Sequence, residues 1–317
     1  MASLANCSAS AVTLTEFSRL SYLADASGVS RKCASQLSGG GKIPLGSIIQ
    51  PSATLRSVAR GFLPRPLRPP VRRLWWTLAN RRATYVGGLA VPSRELRAMM
   101  CGLPYADDAF FITSAMSLAR TLVNATEVTR QTRIVDVGCG VGRLAMGLLL
   151  ERREATYLGM DSHDRYIWWC RRYIQRKHPS FQFEHIDVEN ERYNPEGKTI
   201  GEDFRLPIPD GYADVVHFWG VLTNMAPKHM LIYVSEIGRI LRKGGTAFLT
   251  AFVEEQVPTW SINPSDYVSY PCVGPLHVVR YQQSYLHSVF TSHSLSVKAY
   301  SYQTVDEKQS EFHLEKR

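Results

Sequence analysis

The chain has 317 residues, of which 44% are hydrophobic and 21% charged, with a formal net charge of +9. This composition supports a packed core and excludes a mainly disordered chain, and no apolar run approaches the roughly 20 residues of a membrane-spanning helix. The charge is uneven: residues 1–132 hold 16 Lys+Arg against 6 Asp+Glu, and the remainder holds 21 against 22, so a basic partner surface belongs to the N-terminal part alone.

Residues 1–50 are rich in Ser, Ala and Gly, with Glu16 and Asp25 their only acids. Such a start fits an organelle transit peptide as well as a plain extension. Residues 56–82 contain eight arginines and no acid, with Trp75 and Trp76 among them. Arginine interleaved with tryptophan suits an anionic membrane surface, and a basic linker docked on the domain has the same composition. Pro64, Pro66, Pro69 and Pro70 forbid one continuous helix here. Residues 1–82 are therefore read as an extension and 83–317 as the folded domain. None of the six cysteines forms a C-x-x-C pair. That points away from a zinc knuckle or redox dithiol and fits a reducing compartment, cytoplasmic or membrane-peripheral.

Residues 93–128 predict helices ahead of the core. Leu96, Met99 and Met100 precede a break at Gly102-Leu-Pro104. Phe110, Phe111, Ala115, Leu118 and Leu122 then follow a helical period after an acidic cap at Asp107 or Asp108. Ile134, Val135 and Val137 read as a buried parallel strand, Gly138-Cys-Gly-Val-Gly142 as a tight loop, and Leu144, Leu148 and Leu149 as one face of the helix after it. Strand, glycine loop, helix opens a doubly wound α/β domain, whose ligand crevice lies off the carboxyl ends of the strands. Further strands are predicted at 155–160, 181–186, 213–218 and 246–253, with helices over 166–176 and from Pro227 to Leu241. A last helix is predicted over 282–292, and a terminal hairpin from 295–302 and 310–315. Residues 254–280 carry no period, and a long insertion at that point predicts a pocket wall over the crevice mouth.

The glycines are spaced G-x-G-x-G, with Arg143 where a dinucleotide fingerprint has its third glycine. Asp136, two residues before the loop, suits a positively charged ligand better than a pyrophosphate. Asp161, about 20 residues past the loop, stands where a carboxylate holds a ribose hydroxyl pair. Val135-Asp-Val-Gly-Cys-Gly-Val-Gly142 resembles the first motif of class I S-adenosylmethionine-dependent methyltransferases. The run from Asp214 to Val253 resembles their fourth-strand to fifth-strand segment, with Arg242-Lys-Gly-Gly245 for the usual Lys-Pro-Gly-Gly. The resemblance implies a Rossmann-like, mostly parallel seven-stranded sheet with an antiparallel last strand and helices on both faces, and S-adenosylmethionine as cofactor. It implies cofactor contacts at Asp136, Gly138, Cys139, Gly140, Gly142, Asp161 and Ser162. It adds Asp187 and Val188 for the adenine, and Phe218 and Trp219 on the side from which the methyl acceptor approaches. The helices at 93–128 would form a lid, with Phe111 and Thr113 as ligand contacts to test.

Methyl transfer from a sulfonium mainly needs the acceptor atom held in line. A hydroxyl acceptor also needs a base, for which His217, Tyr270 and His277 are the candidates. Inside a strand, His217 is equally a core residue. Asn224 stands where the family commonly has His, and an amide does not titrate. The chain is thus read as a methyltransferase for a small-molecule or lipid-like acceptor, by O- or N-methylation. No N-P-P-Y-type sequence follows the fourth strand to point to nucleic acid, and no metal-ligand pattern is present. Two rivals are a catalytically silent methyltransferase-fold binding protein and an NAD-dependent oxidoreductase. The second is disfavoured by Arg143 and the hairpin end.

Overall fold

The computed structural model describes Trp76, residues 84–268, residue 272, and residues 274–305 and 308–317. Apart from Trp76, the extension read at 1–82 lies outside these residues, and so does Tyr270. A short hairpin, β1 (Thr84–Val86) and β2 (Leu89–Val91), leads into α1 (Arg94–Cys101) and α2 (Asp108–Ala125). The break between the helices is a 3-10 turn over Leu103–Ala106, entered at Gly102 with φ +92°. Asp107, not Asp108, caps α2: its carboxylate accepts from the Phe110 amide at 2.8 Å. Buried Arg97 ties the two helices together. It donates to Ala106 O at 2.8 Å, pairs with Asp108 and lies 5.3 Å from the Phe111 ring centroid.

The core alternates strands and helices: β3 (Arg133–Val137), α3 (Arg143–Leu150), β4 (Thr156–Asp161), α4 (Asp164–Cys170), β5 (Phe181–His185), β6 (Ala213–Phe218), α5 (Pro227–Ile240) and β7 (Leu241–Glu254). Then follow β8 (Trp260–Ile262), β9 (Val279–Gln282), α6 (Gln283–Ser292), β10 (Leu295–Val305) and β11 (Gln309–Lys316). The main sheet runs β10-β11-β7-β6-β3-β4-β5. Strands β5, β4, β3, β6 and β7 are parallel, and β11 joins β7 antiparallel. This is the expected fold. Its two faces carry separate apolar cores, one under α5 and α6, the other under α1 to α4.

Three elements differ from their sequence reading. β7 begins at Leu241 directly after α5, because Leu241 is already extended (φ −65°, ψ 136°) and pairs with Ala213. Residues 242–245 form a bulge before pairing resumes at Val215 and Thr246. The helix expected over 166–176 widens into a π turn over Arg171–Gln175. Residues 254–280 are not all loop: β8 and β9 pair with each other, and β9 extends β7. At the crossing of α2 and α3, a Cβ on Gly147 would meet Ala115 O at 2.0 Å and Ala119 Cβ at 3.0 Å. Glycine there lets the two helix backbones touch. Among the described residues, no helix is long and apolar enough to cross a membrane.

Candidate active site

A cavity of about 320 Å³ opens at the carboxyl ends of β3, β4 and β6, where the strand-end rule places it. The glycine loop forms its rim. The Gly138 and Cys139 amides donate to Met160 O at 2.7 and 3.0 Å, which pins the loop to the end of β4. Gly138 and Gly140 take φ +79° and +56° and border the cavity. That backbone region costs any L side chain strain and a β-branched one most. Gly142 serves a different purpose. Its Cβ would strike Ile174 Cδ1 at 2.8 Å, so it lets α3 start against the core, away from the cavity. Cys139 borders the cavity and is buried beside Cys170. Both thiols donate to Gly140 O, at 3.7 and 3.6 Å, and burial pushes both well above the ordinary thiol range or raises them.

Asp161 sits at the end of β4 beneath the loop. Its two oxygens accept from the Gly140 and His163 amides, both at 2.8 Å. Burial pushes its carboxyl up to about 6, against the pull of those two amides. Each oxygen keeps a further lone pair for a hydroxyl. Ser162 borders the cavity next to it, its carbonyl held 2.9 Å from His185 Nε2.

Asp136 also borders the cavity, but its oxygens are already engaged rather than standing open to it. Tyr157 Oη donates to Oδ2, and His217 Nδ1 lies 2.8 Å from Oδ1. The register explains this: Asp136 pairs with His217 across β3 and β6, and Tyr157 stands on neighbouring β4. Trp219 lies two residues on, its ring parallel to the His217 ring at 5.6 Å. Strand alternation sends Phe218 to the other face. It is fully buried against Tyr233 in the core and is not a cavity residue.

The adenine side departs most from expectation. Asp187 is exposed, turned away from the cavity, and accepts from Asn194 Nδ2 at 3.1 Å. Val188 borders the cavity, yet its amide donates to Ile186 O at 2.9 Å. Both are drawn into a local turn: Asp187 O accepts from the Lys198 amide, and Asn194 Nδ2 also reaches Val188 O. The lid contacts shift as well. Phe111 is buried under Arg97 and Thr113 is exposed, so neither faces the cavity. Met100 and Tyr105 face it instead. Met100 Sδ accepts from the Val141 amide at 3.2 Å, and Arg143 donates to Tyr105 Oη at 2.9 Å. The residue that breaks the dinucleotide fingerprint thus fastens the lid turn to the glycine-loop helix.

The far end of the cavity is made by Asn224, His229, His277 and Arg192. Asn224 Nδ2 donates to Leu276 O at 2.9 Å and to His277 O at 2.8 Å. It is a brace between the turn after β6 and the 276–277 segment. Burial, and then the charge of Arg192, hold His277 below the ordinary histidine range. His229, on the first turn of α5, is lowered by burial, and its Nε2 is buried without a hydrogen-bond partner among the described residues. Tyr166 Oη, on α4, is in the same state and also borders the cavity. No motif marked His229, Tyr166 or Arg192, because only the three-dimensional path of α4, α5 and the 190s loop brings them to the crevice.

Residues 134–245 match the family described as a methyltransferase domain. The match covers about a third of the chain, and the strand order and loop geometry are those of a class I S-adenosylmethionine-dependent methyltransferase domain. The chain is similar to a fatty-acid O-methyltransferase of Mycolicibacterium smegmatis, 29% identical over 133 residues. That stretch is 40% of this chain and 40% of the relative, so the chain matches about two fifths of the length of the curated relative. Among solved structures it is similar to a Pyrococcus horikoshii protein, with 13% identity, TM-score 0.47, and 67% and 93% of the two chains covered. A SAM-dependent methyltransferase from Methanosarcina mazei gives 15%, 0.43, and 61% and 96%.

S-adenosylmethionine is the cofactor of class I methyltransferase domains, and the residues present fit it. Two glycines of one loop, both in left-handed conformations, border the cavity, and a carboxylate with spare lone pairs faces it from β4.

Proposed function

We propose that the protein transfers a methyl group from S-adenosylmethionine to an oxygen of a lipid-like small molecule, with a carboxylic acid as the acceptor group. The observation that carries the transferase reading is the pairing of Gly138 and Gly140 in left-handed conformations with Asp161 at the next strand end. When bound, the cofactor supplies an electrophilic methyl carbon. Asp161 would hold its ribose hydroxyls, and the bare main chain at Gly140 would lie against it. Met100 and Val221 close over the loop: Cβ atoms at Gly140 and Gly138 would meet them at 2.1 and 2.3 Å. That cover would keep water from the sulfonium.

The acceptor reading rests on the other wall. Met99, Met225, Phe252 and Val305 give it apolar surface, and Arg192 supplies a cation. The likeness to a fatty-acid O-methyltransferase supports the same chemistry. A carboxylate is ionised at neutral pH and needs no base to attack a methyl carbon. This agrees with the place of Asn224, which braces the wall and cannot titrate. Arg192 would orient the carboxylate. Residues 56–82, basic and tryptophan-bearing, would bring the protein to an anionic membrane where such acceptors reside.

The test is incubation of the protein with methyl-labelled cofactor and a panel of fatty acids, fatty alcohols and amines, read by mass spectrometry. Labelled methyl esters are expected. Methylation of alcohols or amines alone would overturn the carboxylate reading. Cofactor binding with no product across the panel would favour a silent binding protein.

A further inference from the structure

His217 borders the cavity, and its Nε2 is buried with no hydrogen-bond partner among the described residues. The residue is only 3% exposed. Its tautomer follows from its neighbour. A carboxylate can only accept, so His217 Nδ1 donates to Asp136 Oδ1 at 2.8 Å. A ring with its one proton on Nδ1 offers the Nε2 lone pair to a donor. Asp136 is itself fixed from the opposite side by the Tyr157 hydroxyl. Three side chains on three adjacent strands thus hold one acceptor atom at the cavity floor. A buried acceptor left unpaired is costly, so a ligand group is expected to meet it.

The sheet order says which group. The strands run β5, β4, β3, β6. Val188 follows β5, Asp161 ends β4, the glycine loop follows β3, and His217 and Trp219 lie at the end of β6. With the ribose at Asp161 and the base towards β5, the amino-acid tail of the cofactor extends over β3 towards β6. That tail carries a sulfonium without protons, a carboxylate ionised at neutral pH, and an ammonium. Only the ammonium can donate. Resting on the cofactor reading above, we propose that His217 Nε2 accepts a hydrogen bond from the ammonium of the cofactor's methionine tail, with Asp136 and Tyr157 as positioning residues behind it.

The surrounding charges suit a cation. Asp136 lies behind the ring from β3, and Asp161 ends β4. Tyr157 stays protonated, its hydroxyl driven well up by burial and then by Asp136, and the buried Cys139 thiol behaves alike. On the β7 side the register neighbour is uncharged Phe248. Two arginines border the same cavity: Arg143 on α3, whose guanidinium is turned to Tyr105, and Arg192 at the far end.

S-adenosylhomocysteine and 5′-methylthioadenosine separate the tail from the nucleoside. Both carry the nucleoside and the sulfur, and only the first carries the ammonium. Calorimetric affinities for both are to be measured on the full chain, wild type and His217→Phe, at neutral pH. His217→Phe is expected to weaken S-adenosylhomocysteine at least tenfold while methylthioadenosine stays within twofold. Equal weakening of both ligands, or unchanged affinity for both, would overturn the proposal while leaving the cofactor reading intact. Failure of the wild type to bind either ligand would overturn both. Should His217→Phe not fold, His217→Leu measured with the same two ligands decides.

Discussion

The two ends of the cavity are built in different ways. The end proposed for the cofactor stands on strand termini: Gly138 and Gly140 follow β3, Asp161 closes β4, and main-chain hydrogen bonds fix each in place. The end proposed for the acceptor stands on loops and on the first turn of a helix, where Asn224, His277 and Arg192, distant in sequence, line one wall and Asn224 holds the His277 carbonyl. Strand ends are positioned by the sheet, so the first end tolerates little change. Loops adapt, so the second end can vary its ligand on the same scaffold.

The contrast can be broken from either side. The largest effect is expected at Gly140→Val. The residue sits at φ +56°, where a β-branched side chain is strained, and its Cβ would meet Met100 Sδ at 2.1 Å. Cofactor affinity measured by calorimetry should fall about 100-fold or more. Asp161→Ala comes next, because it removes the acceptor for the Gly140 amide along with the proposed ribose contact. A loss of about 10- to 100-fold in cofactor affinity is expected. Retention of wild-type affinity in either variant would contradict a strand-end cofactor site.

At the acceptor end, Asn224→Ala removes both donors that hold the 276–277 segment. It should cost about 1–3 kcal/mol of stability by denaturant unfolding and raise the acceptor KM, with cofactor affinity within about twofold of wild type. A comparable loss at both ends would show that they are coupled.

The smallest effect is on pH. Because burial pushes Asp161 up to about 6, the folded protein binds that proton more tightly than the unfolded chain, whose Asp titrates near 3.9. Without ligand, the Asp161 contribution to stability therefore falls as pH rises from about 4 through about 6. Cofactor affinity should move the opposite way, rising over the same window as the carboxylate gains its second acceptor oxygen. Thermal melts and calorimetry across that range check the two signs separately.

What the sequence made legible follows the same division. The β3 strand, the glycine loop, Asp161 and β6 were readable because each depends on local pattern: an apolar run, a turn residue, a strand end. Placing Phe218 at the crevice overlooked the period of two that sends it to the core beside Tyr233. Asp187 was not legible, because the hydrogen bonds that turn it outward come from Asn194 and Lys198 across a loop. The early start of β7 was hidden for a similar reason: Leu241 is extended by pairing with Ala213, far away in sequence. His217 was readable as a histidine in a strand, but its bond to Asp136 depends on inter-strand register, which no single strand discloses.

The contact of Gly147 with Ala115 has a practical corollary for anyone trimming the gene. The recognisable catalytic stretch starts at residue 134, yet α3 within it is pressed backbone to backbone against α2, which ends at Ala125. A fragment cut at the edge of the family match would strip α3 of its companion and lay bare Leu144, Leu148 and their neighbours to solvent. Recombinant pieces need to begin upstream of α1, or they will aggregate before any chemistry can be tried.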